Sequence, residues 1–195
     1  MNGRRRYRMT ARAAAAAATR ERILASATEV FLSRPYPRVS LKDVAGDARV
    51  TVQTVLRAFG SKEGLVAAAI EVGLAQVRAQ RDLAPIGDVA GAVHGLVDHY
   101  EAWGDRVLRM LAQEDQVPAF REATAAGRRL HRRWVERTFA PWLRGRPASR
   151  GRTLPPLVAI TDVYLWKLLR RDQRLSRPAT ERVLLELVHL VTGVS

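Results

Sequence analysis

Two short helical patterns with almost nothing between them constrain this chain more than any other feature. Leu41, Val44, Ala45 and Ala48 repeat at i, i+3, i+4 and i+7. After a break around Asp47–Val50, the segment Thr51–Phe59 places Val52, Val55 and Phe59 on one side. Isolated helices shorter than about 12–15 residues are marginal in water, because nucleation is not repaid. Both segments must therefore be braced by other helices. A brace lies just upstream, where Ile23, Ala27, Val30 and Phe31 follow the i, i+4, i+7, i+8 rhythm of one buried stripe. Pro35-Tyr36-Pro37 ends that helix, since a residue before proline is pushed out of the α region. Ser40 and Asp43 form a serine-x-x-acid capping pattern that opens the next helix.

Helical patterning continues to the end of the chain. Gly60-Ser61 opens a helix to about Leu83, with Ser61 as its cap, and the cluster Ala84–Asp88 turns into another that runs through Trp103. Gly104-Asp105 starts a further helix to Gln116, and Pro118 suits the first turn of one reaching Trp142. Residues 144–153, rich in Arg, Gly, Pro and Ser, read as the longest loop. Two final helices follow, Pro155–Arg171 and Arg177–Thr192. No segment alternates with period two, so the fold class is all-α. The expected organisation is a flexible basic arm over 1–18, a helix-turn-helix unit over 19–65 and a helical body over 66–195.

Charge sharpens the reading of the first unit. The chain carries a net +14, and residues 1–64 hold 13 Lys/Arg against 5 Asp/Glu. Such a field attracts polyanions. With Val52, Val55 and Phe59 turned inward, Thr51, Gln53, Thr54 and Arg57 face out from the second short helix. Gln pairs with adenine and Arg with guanine in the major groove, while threonine reaches a phosphate or a thymine methyl. The same four residues would also suit an ordinary solvated face. The arginines between Arg4 and Arg12 suit either a minor-groove arm or a solubilising tail.

A longer string carries more information than the spacing. Thr19-Arg-Glu-Arg-Ile-Leu, Phe31, Ser40-Leu-Lys-Asp-Val-Ala and Val50-Thr-Val-Gln-Thr-Val-Leu-Arg-Ala-Phe-Gly-Ser-Lys-Glu-Gly-Leu65 together resemble the DNA-binding region of the TetR (tetracycline repressor) family, without gaps over 19–65. The resemblance implies a homodimeric, all-helical regulator, typically a repressor, bound to a palindromic operator in double-stranded DNA. The candidate DNA-binding residues are then Ser40, Arg49, Thr51, Gln53, Thr54, Arg57 and Lys62, the last contacting phosphate beside the Ser61 cap. Two residues depart from the family pattern. Arg49 stands where the turn usually has glycine, and Leu56 stands where a tyrosine often reaches phosphate.

The remaining classes are narrowed by absences from the sequence. There is no cysteine, and His94, His99, His131 and His189 are scattered, so neither a metal nor another cofactor is expected. No phosphate loop, nucleophile elbow or diagnostic carboxylate pair is present, so no catalytic residue is assigned. The alanine run Ala13–Ala18 lacks the hydrophobicity of a secretion signal, and no apolar stretch approaches membrane-spanning length. A cytoplasmic protein without a membrane partner is expected. Two other readings stay open: a ligand-independent basic DNA-binding protein, and a helical enzyme with a DNA-binding head.

In the body, His99, Tyr100, Trp103, Met110, Phe120, Trp134 and Tyr164 are candidates to line a pocket for an unidentified small-molecule effector, aromatic walls with polar tips being suited to one. The resemblance adds that the family's pocket lies among the middle helices. The row Arg129, Arg133 and Arg137 reads as solvated or acid-paired. Wide apolar stripes on the last two helices suggest a subunit interface through Leu157, Tyr164, Leu168, Leu184, Leu187, Val188 and Val191. Family members pair through their last helices.

Overall fold

The computed structural model describes residues 3–82, 85–144 and 147–193; the side chains of 3–10, 32, 82 and 147–150 are outside that description. Its elements, in chain order, are α1 (Gly3–Ser33), a 3-10 turn (Tyr36–Arg38), α2 (Leu41–Asp47), α3 (Val52–Phe59), α4 (Lys62–Asp82), α5 (Val89–Leu111), α6 (Pro118–Thr138), α7 (Ala140–Leu143), α8 (Pro147–Ile160), α9 (Val163–Lys167) continued by a π turn (Leu168–Asp172), and α10 (Arg177–Thr192). The described residues contain no strand, as the all-α reading requires. None of their helices is long and apolar enough to cross a membrane.

The chain divides into two compact units, Met1–Gly73 and Leu74–Ser195, so the boundary falls inside α4 and not after Leu65. In the first unit Ile23, Ala27 and Phe31 of α1 are buried, as are Val44 and Ala45 of α2 and Val55 of α3. Fully burying one such aliphatic side chain is worth about 1.5–3 kcal/mol, which is what two helices of seven and eight residues need to persist. The buried Ser26 hydroxyl donates to the Val44 carbonyl at 3.1 Å and ties α1 to α2. The expected flexible arm is instead helical from Gly3, because the alanines around 13–18, the strongest helix formers, carry α1 towards the N-terminus. The side chains of Arg4, Arg5, Arg6 and Arg8 lie outside the described residues.

The second unit is built on a core that includes Leu96, Val97, Tyr100, Trp134, Phe139, Leu157, Trp166, Leu184 and Val188. Gly104 is not the helix start its sequence context suggests. α5 runs unbroken from Val89 to Leu111, and a Cβ at Gly104 would lie 2.4 Å from the Trp166 ring. The glycine serves a close approach, letting the fully buried Trp166 seat against the α5 backbone. Around it, the indole N–H donates to Glu101 Oε1 at 3.1 Å, Arg170 forks onto the same carboxylate, and Arg171 reaches Asp105 Oδ2 at 3.0 Å. These bonds, Arg170 foremost, hold the Glu101 carboxyl below the usual range.

Two further boundaries differ from expectation. Residues 147–153, assigned to a loop, are the first part of α8, which accommodates Pro155 and Pro156 in its interior. Leu154 and Leu157, 3% and 0% exposed, pack into the core, and that packing outweighs the local preference against helix. The helix expected from Pro155 to Arg171 breaks at Thr161-Asp162, where the Asp162 carboxylate accepts from the Tyr164 N–H at 3.0 Å and caps α9.

Candidate nucleic-acid interface

The turn between α2 and α3 is a left-handed C-cap. Arg49 N–H donates to Gly46 O (3.1 Å) and Val50 N–H to Ala45 O (2.9 Å), the paired bonds of a Schellman motif. That geometry places Arg49 at φ +54°, where glycine is normally favoured. The turn thus keeps the conformation that glycine would give, and Arg49 stands exposed at its apex.

Each helix of the pair is started by its own side chains. At α2 the Ser40 hydroxyl accepts from Asp43 N–H while the Asp43 carboxylate accepts from Ser40 N–H at 2.7 Å, a complete capping box. The Ser40 hydroxyl and N–H, with Arg34 3.4 Å away, hold the Asp43 carboxyl below its ordinary range. At α3 the Thr51 hydroxyl accepts from Thr54 N–H at 3.2 Å and lies 2.9 Å from the Thr54 hydroxyl. Both Ser40 and Thr51 are therefore capping residues first. Each remains exposed; the Ser40 hydroxyl proton is already on Asp43 Oδ2 at 2.7 Å, whereas the Thr51 hydroxyl keeps its proton for an incoming phosphate when Thr54 donates to it.

α3 turns its sides as its pattern requires. Val55 is fully buried, Val52, Leu56 and Phe59 are half-buried, and Gln53 and Arg57 are exposed, with Thr54 between. Two exposed side chains with base-reading chemistry thus stand one turn apart on an eight-residue helix.

Lys62 is less free than its position implies. Its Nζ donates to Tyr36 O at 2.8 Å and lies 3.8 Å from the Tyr36 ring centroid, and partial burial lowers its pKa. Tyr36 in turn stacks on Phe31 at 5.8 Å and donates to Glu63 at 3.2 Å; burial and that carboxylate push its hydroxyl up to about 12. An ammonium has three protons, so Lys62 keeps donors for a phosphate while also pinning the start of α4 to the 3-10 turn. Sequence reasoning missed Arg20. Its guanidinium caps α3 from α1, donating to Ala58 O at 2.9 Å and lying 4.2 Å from the Phe59 ring centroid. Nothing local marks it, because its partner is 38 residues away.

Residues 23–69, the segment that carries this geometry, match the family described as "Bacterial regulatory proteins, tetR family". Over those residues the chain is similar to the DNA-binding segment of TetR-family regulators. Solved structures agree on the fold. A transcriptional regulator from Rhodococcus sp. Rha1 superposes with a TM-score of 0.70 at 18% identity, over 89% of this chain and 96% of that one. A Mesorhizobium loti chain assigned to TetR-family transcriptional regulators gives 0.66 at 18%, covering 92% and 97%. Escherichia coli NemR in its reduced form gives 0.66 at 17%, covering 89% and 97%. None of the curated proteins matches the chain.

In the second unit the expected pocket residues separate. His99, Tyr100, Phe120 and Trp134 are buried, Trp103 and Met110 are half-buried, and Tyr164 is 56% exposed and cannot line an interior site. Its exposure follows from position, just after the Asp162 cap on the outer side of a helix whose inner side is Val163 and Trp166. The expected subunit contacts also divide. Leu157, Leu184 and Val188 are consumed by the core of their own chain, with at most 1% exposure, and are not a subunit surface. Tyr164 and Leu168 stand exposed, Leu187 and Val191 are half-buried, and Leu190, which the stripe also contained, is 79% exposed. Within the arginine row, Arg129 and Arg133 are solvated and Arg137 donates to the Arg81 carbonyl.

Proposed function

We propose that this chain binds a palindromic operator as a homodimer and represses until a small effector enters the body and favours the unbound state. The observation that carries the reading is the outward pair Gln53 and Arg57 on a short helix whose opposite side, Val55, is buried. Dimerisation is supported by the exposed apolar residues Tyr164, Leu168 and Leu190 on the last two elements, which soluble chains seldom leave uncovered together. Two-fold pairing would set the recognition helices about 34–36 Å apart, one turn of duplex. The effector acts only through its differential affinity for the two states.

Footprinting on the DNA that flanks the chain's own gene tests this. The expected result is a protected site with two-fold related halves, centred about 10 base pairs apart or a multiple of that. Uniform coverage with no preferred site, falling steeply with salt, would instead mark a sequence-indifferent basic protein.

A further inference from the structure

Arg81, at the C-terminal end of α4 and within the second unit, keeps only 8% of its surface accessible to water. Arginines buried to this degree are almost always paired with an acid, because taking the charge out of water carries a large penalty. Among the described residues Arg81 makes no ion pair. Its hydrogen-bond partners are neutral: Nη1 lies 3.2 Å from His131 Nδ1, and Nη2 donates to the Tyr100 hydroxyl at 3.4 Å. Its Cζ lies 4.7 Å from the Trp134 ring centroid and 5.7 Å from that of Tyr100.

The direction of every proton in this cluster points the same way. Tyr100 donates its hydroxyl proton to the Thr161 carbonyl at 2.9 Å, leaving its oxygen to accept from Arg81. His131 Nε2 faces the Val158 carbonyl at 3.1 Å, which can only accept, so Nε2 carries the proton and Nδ1 accepts from Arg81. Burial, with the Arg81 charge adding to it, pushes His131 down to about 4 and His99 down to about 3. Both rings are neutral at pH 7. A guanidinium has five N–H groups, so this one retains donors beyond the two bonds described. Asp162, whose charge acts on Tyr100, has its carboxylate on the Tyr164 N–H. Among the described residues the cluster therefore holds a positive charge with spare donors, set against the Trp134 and Tyr100 rings, and no carboxylate bonds to it.

We propose that Arg81 anchors the carboxylate of a small apolar organic acid, seated among Tyr100, His131 and Trp134. The proposal rests on the effector-binding reading of this unit and gives the effector's chemical class. A carboxylate would take two parallel N–H bonds from the guanidinium and neutralise the buried charge, while the rings pack against the apolar part of the ligand. An uncharged isostere would leave that charge uncompensated.

The test pairs benzoate, phenylacetate, 1-naphthoate and decanoate with their neutral amides, each followed by calorimetry and by the melting temperature of the full chain. At least one acid should bind roughly tenfold or more tightly than its amide, the scale of a charge-assisted hydrogen bond. Arg81→Met should abolish that preference, and Arg81→Lys, which keeps the charge but not the fork, should retain part of it. Without ligand, Arg81→Met should melt at or above the parent temperature, because an apolar chain replaces an uncompensated buried charge. The proposal is overturned if no acid outbinds its amide, if Arg81→Met keeps the preference, or if the unliganded variant melts much lower. Operator binding is measured on the same proteins. Lost acid discrimination with operator recognition intact removes only the ligand class, whereas absent operator recognition removes the regulator reading.

Discussion

In the first unit the polar side chains that matter stand outside a small apolar centre, whereas in the second the distinctive ones are folded within it. Gln53, Arg57 and Arg49 are exposed, and the bonds that position their helices are mostly three or four residues long: Ser40 with Asp43, Thr51 with Thr54, Arg49 with Gly46. In the body, Arg81 meets His131 across 50 residues, Tyr100 meets Thr161 across 61, and Trp166 meets Glu101 across 65. A surface built to meet a variable partner is held by local caps. A core built to be specific is held by distant pairs.

Acid should separate the two designs most. His99 and His131 titrate near 3 and 4 when folded, against about 6.5 when unfolded, so the unfolded state takes up protons first as pH falls. Their contribution is complete above about pH 6.5 and is lost progressively below it, by about 2 kcal/mol per histidine at pH 5. Urea unfolding at pH 7.5 and pH 5 measures this; a flat profile for the body, or an equal slope in His131→Gln, would contradict the neutral buried cluster. Gly104→Ala comes next. Its Cβ would meet the rigid Trp166 ring, and overpacking of this kind costs about 1–3 kcal/mol, read from the urea midpoint.

Smaller effects probe the local devices. Arg20→Ala removes the cap and ring contact at the end of α3, and about 1 kcal/mol of stability should be lost along with some operator affinity. A loss confined to stability would show that α3 holds its position without α1. Arg49→Gly should do the reverse, relieving a left-handed non-glycine residue and gaining up to about 1 kcal/mol while weakening DNA binding. If the variant is destabilised, the arginine side chain makes a contact that its exposure does not suggest.

This contrast also explains what the sequence disclosed. The capping box, the Thr51–Phe59 helix, the Ser61 cap of α4 and the Pro118 start of α6 follow from neighbours within one turn, and all were legible. Gly104 read as a helix start because only the distant Trp166 reveals it as a contact. Residues 147–153 read as loop because the burial of Leu154 and Leu157 is not encoded beside them. Arg81 drew no notice, since one arginine among many looks solvated until its surroundings are known. Leu157, Leu184 and Val188 were assigned to a partner because an apolar stripe does not say whose core it enters.

Central to the account is that α3 presents Gln53 and Arg57 to base edges. Competition gel shifts with the operator against random duplex, for the parent and the Gln53→Ala/Arg57→Ala variant, measure this directly. With each bidentate base contact worth about 1–3 kcal/mol, operator affinity should fall about a hundredfold or more while random-duplex binding falls far less. Equal losses on both duplexes, or none on either, would mean that these side chains do not read sequence.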